Sequence, residues 1–570
     1  MKTNINEKAV ILLFLMLSYE LGAQLPAPGG VSGNLQVWVK ADAGTGTATD
    51  NSKVPVWENQ RSGGVNGIAN QGMPGYYADP GVGAIPAYRT APSIPNFNFN
   101  PAIEIVSTNG YRSGYKFPLG FPDNTTNAMT SYTHLTRTVS GSYRTVFVMN
   151  GTARSSNASS VAGIWQSPFF GSQGNRPEFY NEKEFGDVFF GTDIINTIGT
   201  DVPSIQSYYN RLSGANMNYL FGNNGKEYGQ PSNNVSSNFN YPGMVLLMDN
   251  DGGSGSTSLA GDRIGEFILY SETQTETERQ RVNSYLAVKY GITLVQPQDY
   301  LASDETIMTW NSGLNTSFNN NIFGLAKDDA SALNQLVTNS INTGNNIMLT
   351  VSTDNDFISA NSSPGRPNFL QDKTFLIIGD NNVQNIALVN NGSATGQVIQ
   401  RIWLAQRTNN TGSTWLQADL SAYTGIAATD QVSMVVGDDS GLSQNVKVIP
   451  ATGFTGGKAV FNYSFPANKY FTFGINIQTH CTKDPTVGTP NEMTKFGITA
   501  QSNRQPNWPT NIPNGFMSLE SRNKGFVITR TTSASIAVPV EGMLIFDTAD
   551  QCFKLYNGTV WNCITRSCNN

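Results

Sequence analysis

The stretch that most limits what this chain can fold into is 262–294, DRIGEFILYSETQTETERQRVNSYLAVKYGITL. Its first part, 264–270, is rich in β-branched and aromatic residues and predicts a strand. Thr275 stands three residues before Glu278, the spacing of a capping box. Val282, Tyr285, Leu286 and Lys289 recur at helical spacing, and the lysine stem can cover apolar surface. Gly291 suits the position just past a helix end. A helix over 275–290 is expected, packed on the flank of the domain it closes and aiming the chain at the next. Long amphipathic patterns are scarce elsewhere.

That scarcity fits the composition. Charged residues are 13% and aromatic residues 11% of the chain, with 56 glycines, so turn formers and rings dominate over ion pairs. Such a balance predicts an all-β protein of extracellular sandwich type. A length of 570 residues calls for several domains. A net charge of −6 without any basic cluster argues against a nucleic-acid footprint.

The first residues read as a signal peptide, 1–23. Lys2 and Lys8 give a positive start, 9–17 a short apolar run, and Gly22, Ala23 and Gln24 a small-residue cleavage site after Ala23. The apolar run is short for a membrane span. The expectation is an exported chain, extracellular or on the outer cell surface, with no transmembrane segment after signal removal.

Predicted strands at 35–40, 54–57, 103–106, 143–149, 164–170, 188–190 and 244–248 are separated by Gly, Asn and Ser turns. They give a first sandwich over 24–295. Apolar runs closed by Gly, Asn or Asp at 322–329, 346–352, 375–381, 401–407, 431–439 and 470–475 give a second β-sandwich over 300–477. A polar, proline-bearing linker follows at 478–510, then a small β-hairpin module at 511–570. The strands of this module are short, so it is expected to need disulfides or partner chains.

The segment ERQRVNSYLAVKYGITL resembles the closing segment of a concanavalin A-like (LamG-like) jelly roll of secreted and surface proteins from Bacteroidetes-type bacteria. The opening pattern of that domain is similar to PGGVSGNLQVWVKADAG at 28–44, VPVWENQ at 54–60 and NFNFNPAIEI at 96–105. The second domain resembles an uncharacterised domain that commonly follows it. NIPNGFMSLESRNKGFVITR and EGMLIFDTADQCFKLYNGTVWNC resemble a tail module of the same group. The resemblance implies a jelly roll for the first domain. It implies no single function, because such domains include binders, enzymes and spacers.

Residues able to carry chemistry are few. His134 and His480 are the only histidines, and both read as exposed loop residues. Zinc sites of the His type and Ser-His-Asp triads need a placed histidine. Glycosidases need two carboxylates across a cleft; Glu182, Glu184 and Asp187 are the nearest acids and read as a surface turn. No catalytic residue is assigned. Asp249, Asn250 and Asp251 follow a strand and precede two glycines, so their oxygens could hold Ca²⁺; an ordinary Asx turn explains them too. Trp38, Trp57 and Trp165 could stack on sugar rings, or equally fill a sandwich core.

The four cysteines, Cys481, Cys552, Cys563 and Cys568, all lie in the C-terminal part. Export predicts two disulfides. Asn557 and Gly558 predict a two-residue type I′ turn. That register places Cys552 opposite Cys563 and leaves Cys481 for Cys568. The functional expectation is a non-catalytic binding or adhesion protein that recognises polysaccharide or a surface partner. A carbohydrate-active enzyme and a structural spacer of an outer-surface assembly are the alternatives.

Overall fold

The computed structural model describes residues 25–69, 85–108, 111–112, 114–117, 129–136, 147–150, 163–170, 176–181, 186–189, 202–213, 216–231, 244–246, 261–341, 349–390, 395–478, 493–496, 510–513 and 527–564. Two compact units divide the chain, 1–477 and 478–570. Both are built almost wholly from antiparallel strands, as the composition predicts. Among the described residues there is one α-helix, Glu276–Tyr290.

The first part of the larger unit is two eight-stranded sheets. In one, Arg263–Tyr270 lies between Leu35–Lys40 and Met129–Thr136, so both of its edges are paired. Its burial is near complete. A strand covered on both faces needs a continuous apolar run rather than an alternating one; 267–270 is such a run, while Glu266 before it is buried as a charged group. The second part carries a nine-stranded and a five-stranded sheet. Their core is aromatic: Trp403 stacks on Phe471 at 5.7 Å and meets Phe473 edge-on at 5.2 Å.

The helix joins the two parts. Thr275 Oγ1 accepts the Glu278 amide at 3.2 Å and Glu278 Oε2 accepts the Thr275 amide at 2.8 Å, closing the capping box. At the other end Gly291 takes a left-handed φ of 64°, and a Cβ there would lie 2.3 Å from the Asn339 carbonyl oxygen. The sequence pattern predicts one apolar face, yet Val282 through Tyr290 are all buried. One continuous apolar cluster explains this. It takes Trp38, Tyr132, Ile268 and Tyr270 from the first part, Leu286 and Val288 from the helix, and Trp310, Phe375 and Ile377 from the second. The helix is therefore a shared core element, not a flank element.

Polar groups pin its C-terminal end. Asn98 and Asn100 both donate to the Lys289 carbonyl, at 2.9 and 2.8 Å. Asn98 Oδ1 in turn accepts the Asn339 amide at 2.8 Å, and the Asn98 carbonyl accepts from Gln335 Nε2 at 3.0 Å. These groups satisfy an end carbonyl that a buried helix cannot leave bare.

Lys289 does not snorkel along apolar surface. Its ammonium is buried, 2.9 Å from Glu266 Oε2 and 3.0 Å from Asp42 Oδ1. Glu266, fully buried, also accepts from Trp38 Nε1 at 2.6 Å and from the Tyr285 hydroxyl at 2.9 Å. Burial works against the Lys289 charge, and Asp42 and Glu266 outweigh it, so its pKa is raised. Burial likewise pushes the Asp42 carboxyl up, but Lys289 and Lys40 prevail and hold it at about 2.

His134 belongs to the same layer. It sits on Met129–Thr136, fully buried, stacked on Tyr290 with ring centroids 3.6 Å apart. The loop position read from the sequence is corrected: TSYTHLT is a core strand whose polar residues hide against neighbours. Gly265 permits this, since a Cβ there would come within 2.5 Å of His134 Nδ1. Burial, with Lys289 nearby, holds the imidazole pKa well below its usual value.

Two outcomes follow for stability. Leu286→Ala is expected to lower the unfolding free energy by about 2–5 kcal/mol in chemical denaturation, because a fully buried side chain leaves a cavity. For His134 the folded pKa lies below the unfolded value, so its contribution is complete above about pH 6.5 and declines as pH falls below that. His134→Phe is expected to flatten the denaturation midpoint between about pH 6.5 and 5, relative to the wild-type chain; equal slopes would exclude this origin.

Candidate functional site

In the larger unit a cleft of about 590 Å³ opens where three segments meet. The first is a hairpin tip: Asn216–Asn223 and Lys226–Pro231 are joined by Asn224 and Gly225, both at positive φ. The second is the first half of the helix. The third is the connection into the second part, 295–299, with Ser312 beside it. The Val295 amide donates to the Asn224 carbonyl at 2.8 Å and Gln298 Nε2 to the Gly225 carbonyl at 2.7 Å, so the connection is tied to the hairpin. Gln280 Nε2 donates to the Asp299 carbonyl at 2.9 Å and ties it to the helix.

Glu276, Arg279, Gln280 and Asn283 recur at i, i+3, i+4 and i+7, which puts them on one helix face. Arg279 is nearly spent within the fold. Its Nε donates to Glu227 at 2.8 Å, Nη1 donates to the Gln274 carbonyl at 2.6 Å, and its guanidinium lies 4.4 Å from the Tyr209 ring centre. Burial opposes its charge and the Glu227 contact reverses the effect, so the group stays cationic. Asn283 is only 7% exposed, and its Oδ1 has no hydrogen-bond partner among the described residues. A buried amide oxygen without a donor is costly, so a site that keeps one calls for a reason.

The residues singled out from the sequence lie elsewhere. Trp38 is 1% exposed, meets Tyr285 edge-on at 6.5 Å and gives its N–H to Glu266. Trp57 is fully buried against Tyr115, with its N–H on the Lys40 carbonyl at 3.0 Å. Neither ring offers a face to a sugar; both fill the sandwich. Trp165 lies in the Gly163–Phe170 strand, and its side chain is outside the described set. Asp249, Asn250 and Asp251 also lie outside the described residues. Among the described residues no cluster of three or more His, Cys, Asp or Glu side chains could hold a metal ion. Nor is any described helix long and apolar enough to cross a membrane.

The smaller unit holds a four-stranded sheet. Arg530–Thr531 runs parallel to Leu544–Asp547, which pairs with Cys552–Tyr556 and then Trp561–Cys563. Cys552 is bonded to Cys563, with Cα atoms 5.8 Å apart. The pairing agrees with the sequence reading but the register does not. Tyr556 faces Trp561 and Lys554 faces Cys563, so the bridge is diagonal across a four-residue turn. The Asn557 side chain causes this: Oδ1 accepts the Thr559 and Val560 amides at 3.1 and 2.9 Å, which builds an Asx turn in place of the tighter one. Cys481 and Cys568 lie outside the described residues.

The two faces of this sheet differ. On one, Ile545, Asp547 and Lys554 are buried, and Lys554 Nζ lies 2.9 Å from Asp547 Oδ2 and 3.0 Å from Ser533 Oγ. On the other, Leu544 pairs with Leu555 and Phe546 with Phe553, and the Phe546 and Phe553 rings meet at 5.4 Å. Leu544, Phe553 and Leu555 remain 42%, 50% and 41% exposed, and Ile564 beside them 56%. These side chains form a contiguous apolar face turned to water.

Comparison with known families matches two segments. Residues 278–470 match a domain of unknown function, DUF8202. The match begins inside the helix, the element shared by both cores. Residues 507–570 match a phage tail like trimerisation region. No curated protein matches the chain in sequence. Among solved structures, alginate lyase vAL-1 from a Chlorella virus is 14% identical over 30% of this chain and 85% of its own, with a TM-score of 0.23. A GH54 α-L-arabinofuranosidase is 11% identical, over 42% of this chain and 51% of its own, with a TM-score of 0.25. Trypanosoma rangeli sialidase is 11% identical, over 49% and 38%, at 0.24. The chain thus spans about half or less of the two glycosidases. At such scores none of their chemistry carries over.

For the described bridge, peptide mapping without reduction is expected to recover Cys552 joined to Cys563. Replacing both by alanine should destabilise the C-terminal module by about 2–4 kcal/mol, since the link restrains the unfolded chain.

Proposed function

We infer that this chain is an exported, non-catalytic binding or adhesion protein whose C-terminal module joins several copies, so that the β-sandwiches are displayed together on one assembly. The observation that carries this reading is the open apolar face of the four-stranded sheet: Leu544, Phe553, Leu555 and Ile564 stand exposed on a module whose opposite face is already packed. Covering such a face removes apolar surface from water, the main driving force for association. The similarity of 507–570 to a phage tail like trimerisation region supports three copies as the number. Several weak sites held on one assembly bind a repetitive surface far more tightly than one does. A polysaccharide or a cell surface is such a partner, and the signal-like first residues are consistent with a place outside the cell.

The same apolar face also favours a spacer reading, in which the sandwiches only extend a stalk. Binding of a ligand by the larger unit separates the two.

Sedimentation equilibrium of the secreted chain is the direct test. The wild-type chain is expected at three times its monomer mass, and the double variant Phe553→Asp with Leu555→Asp at the monomer mass. Both side chains are exposed, so the variant should keep its thermal unfolding signal from the larger unit. A monomeric wild-type chain, or a variant that still assembles, would sink the proposal.

A further inference from the structure

We propose that the apolar face of the four-stranded sheet docks on a different surface of the neighbouring copy: the segment 536–541 that leads into Leu544–Asp547, with the hairpin tip beside it. This deepens the three-copy reading given above and rests on it.

Symmetry supplies the first step. Two copies can pair through one patch that meets itself. Copies around a threefold axis each turn different patches to their two neighbours. The sheet face, with Leu544, Phe553, Leu555 and Ile564, is one such patch. The module carries further exposed apolar side chains away from it. Val538 and Val540 are 79% and 62% exposed, more than any residue of the sheet face, and Val560 is exposed too. The segment lies outside every strand of the sheet. Its end is anchored: the Val540 carbonyl accepts the Met543 amide at 2.9 Å, and the Gly542 amide donates to the Tyr556 carbonyl at 2.8 Å. A Cβ on Gly558 would lie 3.5 Å from the Glu541 side chain, so the segment ends beside the turn that carries Val560. Pro539 fixes one backbone angle between the two valines, so less freedom is lost when they dock.

Charge favours the same arrangement. Arg530 pairs with Phe546, and its guanidinium lies 4.9 Å from that ring's centre, at the apolar face. Glu541 directly follows Val540. Among the described residues neither has an ion-pair partner. Segment on face therefore sets opposite charges at the rim, whereas face on face brings two arginines to one interface. A rim charge of this kind fixes register and partner more than it adds affinity.

Sedimentation equilibrium of the full secreted chain tests this with two double variants. Val538→Asp with Val540→Asp leaves the sheet face intact and is expected at the monomer mass, as is Phe553→Asp with Leu555→Asp. Each variant keeps the patch that the other lacks. An equal mixture is therefore expected to form pairs, at twice the monomer mass and no higher. A valine variant that still assembles, or a mixture that stays monomeric at its highest soluble concentration, overturns the proposal. Recovery of Cys552 joined to Cys563 without reduction shows that a variant module has folded. Should the valine variant lose that link, Glu541→Arg replaces it: assembly is expected to weaken, and Arg530→Glu in the same chain to restore it. Assembly unchanged by Glu541→Arg would then count against the segment. A monomeric wild-type chain defeats the three-copy reading itself, whereas a trimeric wild type with a trimeric valine variant defeats only this inference.

Discussion

Glu266 is a carboxylate with no access to water, and the larger unit is arranged to make that tolerable. Stripping an ion of water costs several kcal/mol, and only close partners offset it. Lys289, Trp38 and Tyr285 all point their donors at it. They come from the helix and from the strand at 35–40, while Glu266 itself is on the central strand. The group therefore fixes how the helix lies against the sheet. A helix rotated by one residue would leave a charge buried without a partner.

The helix so placed has its other side covered by the second sandwich. Trp310, Phe375 and Ile377 close over it, and Asn98 reaches across to the Asn339 amide. The two sandwiches of this unit thus share one core through a single helix, and the family match starts in the first turn of that helix, at residue 278. The polar first half of the helix is left over from this packing. It forms a wall of the cleft, with Arg279 spent on holding Glu227 and Asn283 left with an unmet oxygen.

The C-terminal module shows the opposite economy. Its small sheet packs one face with its own chain, using the buried Asp547 and Lys554 pair. The hydrogen bond from Ser533, with Lys554, holds the Asp547 carboxyl far below the ordinary range, so that pair persists at any physiological pH. The other face is left apolar and open. A module of this size has little core with which to stabilise itself alone, and the disulfide offsets part of that deficit.

Much of the local structure was legible in the residues. The capping box at Thr275 and Glu278, the Gly291 exit and the all-β patterning follow from short-range rules, because caps, turns and strand periods depend on neighbours in sequence; the Cys552 to Cys563 pairing is read through a register that the structure does not adopt. Those rules failed where a distant partner decided the outcome. His134 and Lys289 read as surface residues, since polar side chains normally face water; here a glycine on the adjacent strand and two acids remote in sequence make burial possible. Trp38 and Trp57 could be read as ligand platforms or core, and only packing chose core. The hairpin register turned on whether the Asn557 side chain would bond its own turn, a competition between two local geometries of similar energy. The cleft left no trace in the sequence at all. Its walls come from 225–227, 276–283, 295–299 and Ser312, and nothing short of the tertiary fold brings those segments together.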